Sequence, residues 1–126
     1  MTTKKRIVVI DDETSFTRLL KLNLEYNGQY LVKEENVSTR AVATIREFQP
    51  DLILLDVMMP TIDGGQISQR LQGDPALKDI PIIFLTAAVK KTEISMVGGQ
   101  IGGFPYLAKP VDMDELSACI EKHLPK

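Results

Sequence analysis

The chain has 126 residues, 44% hydrophobic and 25% charged, enough for one hydrophobic core of ordinary globular composition. Fifteen Lys and Arg against 17 Asp and Glu leave a formal charge of −2, so the chain lacks the basic footprint that a nucleic-acid backbone selects, and no direct nucleic-acid contact is expected. A single cysteine, Cys119, excludes an internal disulfide and suits a reducing compartment.

Met1–Arg6 leads into the apolar run Ile7-Val8-Val9-Ile10, too short for a signal-peptide core or a membrane span, so a cytoplasmic setting is expected. That run ends at Asp11-Asp12. A helix follows from Thr14-Ser15, with Phe16, Leu20 and Leu24 on one face. Tyr30-Leu31-Val32 supplies a weaker strand, and Ala41, Ile45 and Phe48 a second helix, with Ser38 as N-cap and Pro50 closing it. Leu52-Ile53-Leu54-Leu55 runs into Asp56, and Ile82-Ile83-Phe84-Leu85 into Thr86. Between these strands, Ile67 and Leu71 mark a short helix ended by Gly73-Asp74-Pro75. Residues 89–103 carry Ile94, Val97 and Ile101 at helical intervals, but also Gly98, Gly99, Gly102 and Gly103. A fourth helix is predicted there, the least stable one, since each mid-helix glycine costs about 0.5–1 kcal/mol relative to alanine. Tyr106-Leu107 forms the last strand, which Pro105 places at a sheet edge because proline has no N–H to donate. Leu116, Ile120 and Leu124 mark the final helix, with Asp112 or Asp114 near its start. Apolar runs without alternation suit strands buried on both faces. Strand and helix alternating five times predicts one doubly wound α/β domain over residues 1–126.

In such a sheet, ligands bind beyond the carboxyl ends of the strands. The polar residues there are Asp11, Asp12, Asp56, Thr86 and Lys109. Clustered carboxylates repel one another and call for a cation. Mg²⁺ fits, with Mn²⁺ as its substitute, because it takes oxygen ligands, keeps several waters and accepts phosphate oxygens. No His or Cys lies near these positions in sequence to suggest zinc. Each residue alone has an ordinary reading: Asp11-Asp12 as a helix cap, Asp56 as a loop acid, Thr86 as a turn hydroxyl, Lys109 as a surface lysine. Their joint placement favours a site. His123 reads as a solvated residue complementing a helix dipole, and Cys119 as a buried small hydrophobe.

Asp11-Asp12, Leu55-Asp56-Val57-Met58-Met59-Pro60 with Asp63-Gly64, Leu85-Thr86-Ala87 and Tyr106-Leu107-Ala108-Lys109-Pro110 together resemble the receiver domain of bacterial two-component response regulators. The resemblance covers nearly the whole chain. It implies a flavodoxin-like fold, a five-stranded parallel sheet in the order 2-1-3-4-5 with five helices. It makes Asp56 the phosphoacceptor and Asp12 a direct Mg²⁺ ligand, with Asp11 acting mainly through water. Asp56 and the backbone carbonyl of Met58 complete the protein ligands. Lys109 holds one phosphoryl oxygen and Thr86 another, and the Lys109–Pro110 peptide is cis. Thr86 and Tyr106 form the switch, read out on the fourth helix, the last strand and the last helix. Gly98-Gly99 and Gly102-Gly103-Phe104-Pro105 depart from the family pattern on that surface. The implied phosphodonor is a histidine kinase or a histidine phosphotransfer protein. The implied target is a downstream protein or a covalently linked output domain.

Competing functions fare less well. A haloacid-dehalogenase-type phosphatase needs a second aspartate where Met58 stands, and nucleotide binding needs a glycine-rich loop where Asp12-Glu13-Thr14 stands. No turnover enzyme is expected. A docking module with the same fold, acting without phosphorylation, is the remaining alternative.

Overall fold

Every residue of two strands, β3 (Leu52–Asp56) and β4 (Ile82–Thr86), is buried. That is what a non-alternating apolar run requires when both sheet faces are covered. The computed structural model describes residues 4–87, 100–101 and 104–125. β1 (Lys5–Ile10) lies beside β3, and β2 (Tyr30–Glu35) lies beside β1. β6 (Phe104–Ala108) pairs parallel with β4. A two-residue β5 (Gln100–Ile101) pairs antiparallel outside β6, giving the order β2-β1-β3-β4-β6-β5. The five parallel strands therefore follow the order 2-1-3-4-5, with β6 as the fifth.

Two details differ from the sequence expectation. β6 is not the outermost strand, because Gln100 stands opposite Pro105 and Ile101 opposite Phe104. Ile101, read as helical, belongs to that short strand. The rest of the expected fourth helix, with Ile94, Val97 and its four glycines, lies outside the described residues.

Four α-helices are present among the described residues: α1 (Thr14–Glu25), α2 (Ala41–Phe48), α3 (Gly64–Gln72) and α4 (Met113–His123). The last corresponds to the fifth helix of the sequence reading. Alternate residues of β1 serve opposite layers. Ile7 and Val9 pack with Leu20 and Leu24 of α1 and with Leu116 and Ile120 of α4. Val8 and Ile10 pack with Ala41 and Ile45 of α2 and with Ile67 and Leu71 of α3.

Asp63 caps α3 through a reciprocal box with Gln66, and Asp112 caps α4 by accepting from the N–H groups of Asp114 and Glu115. Ser38 does not cap α2. It opens a single 3₁₀ turn, Ser38–Arg40, and its hydroxyl donates to the Pro60 carbonyl at 2.7 Å. A partner 22 residues away leaves no trace in local spacing. At the other end of α2, Gln49 takes a left-handed φ of 54° before Pro50. At the edge strand β2, Lys21 and Glu25 of α1 bond the carbonyl and N–H of Val32 at 3.1 and 2.9 Å. Side chains thus occupy backbone groups that a foreign strand would otherwise pair. None of the described helices is long and apolar enough to cross a membrane.

Candidate functional site

The parallel ladder runs one residue past the strand ends and so aligns the polar residues there. The Asp11 N–H donates to the Glu35 carbonyl at 3.1 Å, Val57 to Leu85 at 3.1 Å, and Lys109 to Thr86 at 2.9 Å. Asp11, Asp56, Thr86 and Lys109 consequently gather at one end of the sheet.

Carboxylate oxygens of Asp11, Asp12 and Asp56 lie within 4.8 Å of one another. Asp11 is fully buried, Asp56 is 4% exposed, and Asp12 is exposed. The Lys109 ammonium reaches Asp11 Oδ2 at 2.5 Å, Asp56 Oδ1 at 3.6 Å and Glu13 Oε1 at 3.9 Å. It also sits 4.4 Å from the centre of the Phe16 ring. The other Asp11 oxygen accepts from the Glu13 N–H at 2.9 Å, and Asp56 Oδ1 accepts from the Met58 N–H at 3.4 Å.

Burial, and next the charge of Asp11, push the Asp56 carboxyl up to about 6; Lys109 and the Met58 N–H pull it down, and Asp12 adds a small further rise. Burial alone would lower the Lys109 pKa, but the hydrogen bond and charge of Asp11, then Asp56 and Glu13, raise it above the ordinary lysine value. One ammonium thus faces three clustered carboxylates. The donors are oxygens only, and their charge excess is what a hard divalent cation relieves, so the residues fit Mg²⁺.

The same repulsion bears on stability. Asp56→Asn keeps the side-chain shape, removes one of the three charges and leaves the Asp11–Lys109 pair intact. In EDTA at neutral pH it should stabilise the protein by about 1–2 kcal/mol, several degrees in Tm. A melting temperature equal to or below that of the unaltered protein would contradict the repulsion argument.

Thr86 closes β4 with 1% of its surface exposed. The Met58 side chain is 64% exposed while its N–H turns to Asp56. The Lys109–Pro110 peptide is cis. Tyr106 is half-buried, stacked on Phe84 with centroids 4.8 Å apart, and Phe104 meets the same ring edge-on at 5.4 Å. Elsewhere, His123 stands in the last turn of α4 as expected, where its Nδ1 bonds the Cys119 carbonyl at 2.8 Å, but it is half-buried and not fully solvated. Cys119 packs against the core, and burial raises its thiol pKa.

Sequence reasoning missed several contributors. Glu13 and Phe16 touch Lys109, and Asn36 bonds the Asp11 carbonyl at 2.8 Å. Gly64 enters the sequence pattern only as part of a motif; a Cβ there would lie 2.4 Å from the Asp56 carbonyl oxygen and 2.9 Å from Val57 Cα. The spacing Asp63-x-x-Gln66 is a readable capping signal that places Gly64 at the first turn of α3.

The family model described as the response regulator receiver domain matches residues 7–121. RpaA of Synechocystis sp., described as a DNA-binding dual master transcriptional regulator, is 38% identical over 113 residues, 90% of this chain and 46% of RpaA. The chain thus spans about half the length of the curated relatives it matches. Among solved structures, the signal receiver domain of a DNA-binding response regulator from Colwellia psychrerythraea 34H superposes with a TM-score of 0.79 at 26% identity, covering 94% of this chain and 97% of that one. The signal receiver domain of a signal transduction histidine kinase from Syntrophus aciditrophicus gives 0.77 at 28% identity, covering 94% and 88%.

Proposed function

Because this chain belongs to the response regulator receiver domain family, we propose that it is a phosphoacceptor that carries a signal on Asp56. The observation that carries this reading is the nearly buried Asp56 carboxylate, held between Asp11, Asp12 and the Lys109 ammonium. An Asp56 oxygen attacks phosphorus while the bond from phosphorus to the donor's imidazole nitrogen breaks. The product is an acyl phosphate, and the released imidazole remains with the histidine kinase or phosphotransfer protein. Bound through Asp11, Asp12, Asp56 and the Met58 carbonyl, Mg²⁺ would supply charge neutralisation for the phosphoryl oxygens.

The side chains do the rest. Lys109 takes a phosphoryl oxygen, a role supported by its ammonium already lying 3.6 Å from Asp56. The Thr86 hydroxyl takes another, and its inward turn draws the Tyr106 ring after it. The Tyr106 stack on Phe84, a β4 residue two positions before Thr86, supports that coupling. The surface of β6 and α4 then changes its affinity for a downstream protein or a linked domain. The chain acts as a cytoplasmic signalling module, not a turnover enzyme. RpaA is described as DNA-binding; the net charge of −2 supports assigning no nucleic-acid contact to the receiver domain itself.

Incubation with acetyl phosphate and Mg²⁺ followed by intact-mass measurement tests the reading. One phosphoryl adduct is expected, absent in EDTA and in Asp56→Asn. An adduct that persists in Asp56→Asn places the acceptor elsewhere. With the protein folded and no adduct from either acetyl phosphate or a histidine kinase, the phosphorylation-independent docking module becomes the better reading.

A further inference from the structure

Residues 35–38 run from the end of β2 into the 3₁₀ turn and supply nothing to the phosphoryl chemistry proposed above, yet they hold two of the loops that serve it. The Asn36 Nδ2 donates to the Asp11 carbonyl at 2.8 Å and to Thr17 Oγ1 at 2.9 Å. That carbonyl belongs to the peptide leading into Asp12. Thr17 is fully buried and bonds onward to the Thr14 carbonyl and to Glu34. Ser38, 8% exposed, donates its hydroxyl to the Pro60 carbonyl at 2.7 Å. Pro60 lies two residues after Met58, in the loop between β3 and α3.

The segment has its own anchor. The Glu35 carboxylate, 8% exposed, receives the Val37 N–H at 2.9 Å and the Thr44 hydroxyl of α2 at 2.5 Å. One short stretch, tied to α2, therefore grips the β1–α1 loop through Asn36 and the β3–α3 loop through Ser38.

The β3–α3 loop needs such a restraint. Thr61 has a φ of 71°, a left-handed conformation that a β-branched residue adopts only when its surroundings impose it. The Ile62 N–H bonds the Pro60 carbonyl at 2.8 Å, so Ser38 and Ile62 converge on one oxygen across this strained turn. Mg²⁺ demands near-octahedral ligand placement at short distances. Small displacements of either loop should therefore be felt in metal affinity, as happens when groups that orient metal ligands are removed.

We propose that Asn36 and Ser38 are positioning residues for the divalent-cation site, setting the spacing between the loop that carries Asp11 and Asp12 and the loop that carries the Met58 carbonyl. The inference rests on the Mg²⁺ reading of those residues given above.

Isothermal titration of the full chain with MgCl₂ decides it, beside melting curves of each variant in EDTA. Ser38→Ala and Asn36→Ala should each raise the Mg²⁺ Kd about tenfold, and Ser38→Thr, which keeps the hydroxyl, should restore it. A purely structural role would lower the melting temperature in EDTA and leave Kd unchanged, and that result overturns the proposal. Ser38→Ala removes a single hydrogen bond, so the Ser38 pair is decisive even where Asn36→Ala fails to fold. Absence of Mg²⁺ binding by the unaltered chain would sink the metal reading and this inference with it. Equal Kd values across variants of a chain that binds Mg²⁺ would sink the positioning role alone.

Discussion

Gly64→Ala is expected to destabilise the protein by roughly 3 kcal/mol, about 10 °C in Tm, and to slow phosphorylation of Asp56 at least tenfold. Helix propensity argues the other way, since alanine is the better helix residue by about 1 kcal/mol. The deciding fact is steric. The new Cβ would meet the Asp56 carbonyl oxygen at 2.4 Å and Val57 Cα at 2.9 Å. Both are backbone atoms, so no side chain can swing aside. Gly64 also donates its N–H to the Val57 carbonyl at 2.8 Å, which holds the start of α3 against the end of β3. Relief must come from moving α3 away or from turning the Asp56 peptide, and either motion shifts the Asp56 carboxylate. Melting in EDTA measures the first effect, and the rate of acetyl-phosphate labelling at saturating Mg²⁺ the second. A Gly64→Ala variant with unaltered stability and rate would show that the close approach is not needed.

Lys109→Met should cost about 3 kcal/mol in EDTA and much less at saturating Mg²⁺. Methionine keeps an apolar stem of similar length beside Phe16 and removes only the charge. The fully buried Asp11 carboxylate then loses its 2.5 Å partner, and Asp56 loses the ammonium at 3.6 Å. A buried charge stripped of its partner is the expensive case. A divalent cation shared by Asp11, Asp12 and Asp56 would replace the missing positive charge. The Mg²⁺-induced rise in Tm should therefore be larger in the variant than in the unaltered protein. An identical loss with and without Mg²⁺ would place the role of Lys109 in packing. In the same variant, the phosphorylation-dependent change at Tyr106, followed by NMR, should disappear while the adduct still forms.

The placement of the candidate site was legible because its residues lie where pattern and position coincide. Asp11, Asp56, Thr86 and Lys109 each stop an apolar run or follow one, and a parallel sheet brings such ends together whatever the loops do. The supporting contacts were not legible, for a different reason. Ser38 looks like a cap because caps are judged over four residues, whereas its partner Pro60 is 22 residues away. Asn36 stands 25 residues from the Asp11 carbonyl it bonds, and nothing in its neighbourhood marks it. Strand β5 is two residues long, too short for any periodicity.

The linear string is enough to mark which segments are strands with both faces buried, which faces of the helices are apolar, and which oxygen and nitrogen groups stand at the strand ends. Those properties depend on side-chain type and on periods of two or 3.6 residues, so a linear string contains them. Which carboxylate takes Lys109 most closely, a pairing across 98 residues, emerges with the folded arrangement. It alone showed that a Cβ on Gly64 would meet backbone atoms of Asp56 and Val57 and that one segment after β2 holds two loops of the candidate site. Those outcomes depend on strand register and on distances of a few ångströms between segments remote in sequence, which local pattern does not encode.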